Sequence, residues 1–210
     1  MLGDLYGDIK ANMMNNILFF DTETTSLIPK GLHYREDYES FPHLVQIAWD
    51  LNGKEKEFII KPEGYEIPED VSEIHGITQE KALKDGSPFK EAMELFIMDA
   101  FMADEIVAHN IYFDISIVKA NCFRNKFAIH DEKSEDTMNY ALDKYKRIDT
   151  ARKTIKICGL KQKGSNRPKF PTLSELYMHL FGETFPAHNA LHDIRALKRC
   201  YYKLKEIDVL

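Results

Sequence analysis

The sequence predicts an α/β fold in which a mixed sheet, an antiparallel hairpin continued by parallel strands, is flanked by helices. Three observations predict it. Ile17-Leu18-Phe19-Phe20 is a continuous apolar run of the kind a central strand carries. Asn52-Gly53 separates two strand-like stretches, and helical apolar stripes interleave with short strands through the second half of the chain. A length of 210 residues with 44% hydrophobic and 11% aromatic content fits one domain with a full core. We assign residues 1–15 to a polar lead-in and 16–207 to a single domain.

The elements follow in order. The first strand lies at Ile17–Phe20. His43–Trp49 and Glu55–Ile60 form a hairpin beside it, because the Asn-Gly pair supplies the positive φ angles of a tight turn. Ser87 is placed as the cap of a helix with Pro88 at its first position, and Phe89, Ala92, Met93, Phe96 and Ile97 form its apolar stripe. Residues 105–108 form a short fourth strand. Asn110 is placed as the cap of a helix carrying Phe113, Ile117 and Val118. Thr172-x-x-Glu175 is a capping box ahead of Leu173, Leu176, Tyr177, Leu180 and Phe181, and Gly182 ends that helix. A last helix from about Ala190 to Glu206 shows Leu191, Ile194, Leu197, Tyr201 and Leu204 on one side.

Composition narrows the function classes. The chain lacks a long apolar stretch and a basic, apolar leader, so no membrane partner and a cytoplasmic setting are expected. Cys122, Cys158 and Cys200 are far apart, odd in number and form no CxxC, so they suggest neither a disulfide framework nor a thiolate zinc site. The net charge of −6 argues against a broad basic surface, yet it is unevenly spread. Between Lys144 and Lys169 ten basic residues face the single Asp149, a local +9 that leaves the rest of the chain near −15. We read about 144–170 as a basic inserted loop, either simply solvated or in contact with phosphates.

Four carboxylates stand where carboxylates are costly. Asp21 and Glu23 follow the first apolar run two residues apart, so in an extended segment they project to the same side. Taken alone they could be a polar strand end. Asp114 has Ile117 and Val118 at i+3 and i+4, and Asp193 has Ala196, Leu197 and Cys200 at i+3, i+4 and i+7, so both face a core. No Lys or Arg lies one turn from Asp114 on its stripe, and Arg195 and Lys198 point off the face of Asp193. A shared cation answers all four. Oxygen-only ligands suit Mg²⁺ or Mn²⁺, and two such ions ~4 Å apart stabilise the attacking and leaving oxygens of phosphoryl displacement. His188, at the loop-to-helix junction five residues before Asp193, is placed to act as general base. An HxxxH zinc pair with His192 lacks the adjoining Glu and a third soft ligand.

These residues resemble the DEDDh 3′→5′ exonucleases of the RNase H-like fold, which are related to the epsilon-type proofreading subunits of bacterial DNA polymerase III. Phe19-Phe20-Asp21-Thr22-Glu23-Thr24-Thr25-Ser26-Leu27, Val107-Ala108-His109-Asn110-Ile111-Tyr112-Phe113-Asp114 and Ala187-His188-Asn189-Ala190-Leu191-His192-Asp193 are similar to the three motifs, in order, and Ile74-His75-Gly76-Ile77-Thr78 to the HGIT segment. The resemblance implies a five-stranded sheet and two ions held by Asp21, Glu23, Asp114 and Asp193, with His188 as base. It also implies substrate contacts from Thr24, Leu27, His75, Ile77 and Asn110. A DEDDy enzyme would carry Tyr where Asn189 stands. Ser26 departs from the Gly common in the family. The activity implied is removal of nucleotides from single-stranded or frayed DNA 3′ ends, giving nucleoside 5′-monophosphates. An exoribonuclease similar to oligoribonuclease or ribonuclease T is the alternative, and a non-catalytic nucleic-acid-binding module a third reading. Because the chain stops soon after its last helix, a free enzyme is expected, with a polymerase or repair protein as a transient partner at most.

Overall fold

The computed structural model describes residues 15–127, 138–139, 141–143 and 146–210. The rest of the lead-in (1–14) and Lys144 lie outside the described residues. The elements are β1 (Ile17–Thr24), β2 (Leu44–Leu51), β3 (Lys54–Ile59), α1 (Glu69–His75), α2 (Gln79–Asp85), α3 (Phe89–Met102), β4 (Glu105–Ala108), α4 (Ile111–Arg124), β5 (Lys146–Asp149), the short α5 (Thr150–Lys153) and α6 (Ile155–Cys158), α7 (Leu173–Phe181) and α8 (Ala190–Glu206). They build one five-stranded sheet in the order β3-β2-β1-β4-β5. β1–β2 and β2–β3 are antiparallel, whereas β1–β4 and β4–β5 are parallel, which gives the mixed sheet the sequence predicts. No helix among the described residues is long and apolar enough to cross a membrane.

Alternation along β1 sends side chains into two separate layers. Leu18 and Phe20 pack with Phe96 of α3 and Ile117 and Val118 of α4, while Phe19 packs with Val107, Ile148, Leu197 and Tyr201 beneath α8. Rings mark both layers: Phe20 and Phe96 lie 5.3 Å apart, and Phe19 meets Tyr201 edge-on at 5.2 Å. Burial on both faces explains why Ile17–Phe20 reads as an unbroken apolar run. The strand continues through Asp21-Thr22-Glu23 because Asp21 pairs with Ala48 and Glu23 with Gln46 on β2.

The N-terminus of α8 rests on β2 through small side chains. Ala48 and Ala190 are both fully buried and pack together with Ile194. Ala48 stands opposite Asp21, so its size sets how closely α8 approaches the strand that carries the acidic residues. Ala48→Leu is expected to cost about 1–3 kcal/mol through overpacking, a fall in melting temperature of roughly 2–12 °C, with a loss of activity beyond the loss of folded protein. Thermal melts beside activity per folded molecule check this.

Several local expectations change. Ser87 does not cap α3, whose N-cap is Pro88. Its N–H donates to Ile59 O and its carbonyl accepts from Lys61 N, both at 2.9 Å, so Ser87 extends the sheet rather than starting a helix. Asn110 precedes α4 but makes no side-chain cap, because its backbone is left-handed at φ 71°. The 144–170 segment is not one loop. It supplies the edge strand β5, held by Lys146 to Glu105 at 3.0 Å and by an Arg147–Asp143 pair, then α5 and α6. Asn52 (φ 54°) and Gly53 (φ 86°) form the hairpin turn as read, and both halves of the Thr172–Glu175 capping box are present.

Candidate active site

The end of β1 and the first turn of α8 bring carboxylates together. Oxygens of Asp21, Glu23 and Asp193 all lie within 4.8 Å of one another. Asp21, Glu23, Asp114, His188 and Asp193 line one cleft of about 210 Å³, with His109, Phe113 and Leu173 among its walls. Asp114 reaches this cleft from the α4 layer, opposite the layer of α8. Thr22, which alternation turns away from Asp21 and Glu23, holds it there: its hydroxyl donates to Asp114 Oδ1 at 2.7 Å, a buried bond.

Electrostatics agree with the crowding. Burial, then repulsion from Asp114, Asp193 and Glu23, pushes Asp21 well above the usual carboxylate range. Burial, with Asp193 and Asp114 nearby, raises Glu23 to about 8. Burial raises Asp114 to about 7 against the Thr22 hydroxyl, which pulls it down. Burial likewise lifts Asp193 to about 6, opposed by nearby His188 and by the N–H groups of His188 and Asn189. Among the described residues no ion pair reaches any of the four. The basic residues near α8 are engaged elsewhere: Arg195 with Glu55 at 2.7 Å and Lys198 with Asp50 at 2.8 Å. A dense set of hard oxygen donors that, among the described residues, no Lys or Arg pairs with fits divalent cations such as Mg²⁺ or Mn²⁺.

His188 is exposed and left-handed, φ 67°, a conformation rare for a residue with a Cβ. The next residues lock it. Asn189 caps α8 through its side chain, which accepts from His192 N at 3.1 Å, and its own N–H donates to Asp193 Oδ2 at 3.1 Å. The same turn therefore aims both the imidazole and the last carboxylate.

The implied substrate contacts divide. Leu27 is 81% exposed, free to meet a base. Thr24 donates to Ser26 O at 2.7 Å and stiffens the turn that carries Leu27. Ser26 is not among the residues with positive φ, so the turn does not need the glycine common in the family. Asn110 is exposed, and its N–H donates to Asp149 Oδ1 at 3.1 Å. Ile77 is a correction: only 1% exposed, it belongs to a core with Val45, Ile67 and Ala82, while Ile74 is the exposed apolar side chain of that segment. His75 is also buried, and its Nδ1 accepts from Ile77 N at 3.1 Å, so it shapes the turn from within. Thr22 was missed, because nothing in a motif reveals which residue holds a carboxylate across a sheet. Thr22→Val keeps the shape and removes the bond. The expected result is a loss of roughly 10–100-fold in activity and in Mn²⁺ affinity, of the size seen for residues that orient metal ligands. Metal titrations of activity and of calorimetric binding check it.

Comparisons with known proteins agree with this geometry. Residues 18–201 match the family model described as Exonuclease. Among curated proteins none matches the chain by sequence. Exonuclease I of E. coli, solved with a dA16 oligonucleotide, superposes with a TM-score of 0.64 at 20% identity over 92% of this chain and 41% of that one. The moderately thermophilic exonuclease I of Methylocaldum szegediense gives 0.64 at 18% identity, covering 92% and 41%. A product-bound exonuclease I gives 0.66 at 18% identity, covering 94% and 45%. The chain thus spans less than half the length of these proteins and shares their fold. With the family model covering nearly all of the sheet and the helices that bear the acidic cleft, the chain belongs to the exonuclease family.

Proposed function

We propose that this protein is a metal-dependent 3′→5′ exonuclease that shortens single-stranded or frayed DNA and releases nucleoside 5′-monophosphates. The observation that carries this reading is the convergence of Asp21, Glu23 and Asp193 within 4.8 Å, in a cleft shared with Asp114 and His188. Two divalent ions bound there would supply Lewis-acid stabilisation of the attacking and leaving oxygens in an in-line displacement. Asp21, Glu23 and Asp193 would hold them from one layer, and Asp114 would complete the set from the other. Thr22 keeps Asp114 oriented. His188 takes the proton of the attacking water. Leu27 and Ile74 offer apolar surface to the terminal bases, and the exposed Arg152, Lys153 and Lys156 offer charge to the phosphates.

DNA is favoured as substrate because exonuclease I of E. coli, which shares the fold, was solved with a deoxyadenosine oligonucleotide. A gel time course tests polarity, sugar and metal together, using 5′-labelled single-stranded DNA, duplex DNA and matched RNA with Mg²⁺, Mn²⁺ or EDTA. The expected result is a metal-dependent ladder descending from the 3′ end of single-stranded DNA and suppressed by EDTA. Equal or faster loss of RNA would reassign the substrate, and turnover in EDTA would overturn the metal centre.

A further inference from the structure

β2 is buried along most of its length, and in the middle of it stands an amide. Gln46 is 2% exposed and pairs in register with Glu23. A buried amide requires partners at both ends, and both of these lead to the catalytic cleft. Gln46 Nε2 donates to Glu57 Oε1 on β3 at 2.7 Å, and Gln46 Oε1 accepts the N–H of Ala190, the first residue of α8, at 3.1 Å. Glu57 Oε1 also accepts from Asn189 Nδ2 at 3.4 Å. Residues 189 and 190 are the backbone between His188 and Asp193. The first N–H groups of a helix lack partners within it; here a side chain from the sheet takes one.

We propose that Gln46 and Glu57 form a clasp that positions the His188 turn and the Asp193 carboxylate over Asp21 and Glu23. The inference rests on the exonuclease reading. A left-handed histidine persists only where its surroundings hold it, and three bonds hold the turn that follows His188: Gln46 to Ala190, Glu57 to Asn189, and Asn189 N to Asp193 Oδ2. The Arg195–Glu55 and Lys198–Asp50 pairs continue the attachment down α8, so the first half of the helix is fixed to the β2–β3 hairpin and its tip to the cleft. Gln46 touches neither ion nor substrate; it acts through the backbone of residues 189–190.

Gln46→Leu is expected to lower kcat about 10–100-fold and weaken calorimetric Mn²⁺ binding by a similar factor, with KM for a single-stranded oligonucleotide within about twofold. Gln46→Glu sets a carboxylate against Glu57 and should do the same, whereas the exchange Gln46→Glu with Glu57→Gln restores the 46–57 bond in swapped order and keeps an acceptor for Ala190 N, giving up only the longer bond from Asn189. That double variant is expected to recover kcat and Mn²⁺ affinity. If Gln46→Leu does not fold, the single and exchanged variants decide the matter. Unchanged kcat per folded molecule and unchanged Mn²⁺ affinity in the single variants would overturn the positioning role, as would no recovery in the exchange. Absence of Mn²⁺ binding by the unsubstituted protein would overturn the metal-dependent reading of the cleft on which the clasp rests, a separate result.

Discussion

Asp21→Asn is expected to remove nuclease activity by at least about 10³-fold while raising the melting temperature of the metal-free protein at pH 8. The two effects share a cause. Asp21 sits among Asp114, Asp193 and Glu23, and their repulsion adds to burial in raising its pKa. Whether Asp21 stays charged against this repulsion or takes up a proton to escape it, the folded state is penalised relative to the unfolded one at pH 8; a pair of unit charges about 4 Å apart, at about 4 kcal/mol for an effective dielectric near 20, sets the upper scale of what Asp21→Asn relieves. In a domain of this size, relief of about 1–4 kcal/mol corresponds to roughly 2–16 °C. On the proposed function, the same substitution would take a ligand from the ions, and with it several kcal/mol of transition-state stabilisation. Melts with and without Mn²⁺, beside single-turnover assays, read both effects. Full activity would remove Asp21 from the ligand set, and a lower melting temperature would show that packing, not repulsion, dominates at this position.

The second large effect is the pH dependence of the metal-free protein. Glu23, Asp114 and Asp193 are raised to about 8, 7 and 6, above the ordinary carboxylate values they regain on unfolding. The folded state therefore binds more protons than the unfolded state between about pH 4 and 8, and stability falls with rising pH there. These groups contribute fully below pH 4, and their contribution is lost as pH climbs through about 6 to 8. Divalent cations held as proposed would reverse the trend, since they would bind the deprotonated cluster of the folded state alone. At a hundredfold excess over the dissociation constant the gain is about 2.7 kcal/mol, or roughly 5–11 °C. Melting temperatures from pH 5 to 8.5 should slope downward in EDTA and flatten in Mn²⁺. A flat profile in EDTA would mean that the carboxylates are not buried together.

Much of this was readable from residues alone because burial and periodicity report on the same thing. Asp114 and Asp193 stood out as charges on apolar stripes, and the sheet's centre as an unbroken apolar run. β5 was not legible: Lys146-Arg147-Ile148-Asp149 is an edge strand with only Ile148 to show a period, and its cations make ion pairs that sequence cannot display. Nor were α1 and α2, each 7 residues long and too short for a helical stripe to be distinguished from chance. Thr22 and Gln46 escaped for a different reason. Their partners are 92 and 144 residues away, and a hydroxyl or an amide becomes informative only when its partner is known. Ile77 was assigned to the substrate by resemblance, yet its burial with Val45 gives that position to the core.

The charged run Lys54-Glu55-Lys56-Glu57 lies on β3, at one margin of the sheet. An unpaired margin is a template on which another chain can add a strand, and alternating charges discourage that addition. Glu55 and Glu57 also fasten α8, through Arg195 and Asn189. Solubility and alignment of the cleft thus share two of these four residues, Glu55 and Glu57, so replacing them with apolar side chains would leave the enzyme slack at its cleft and prone to self-association at its border.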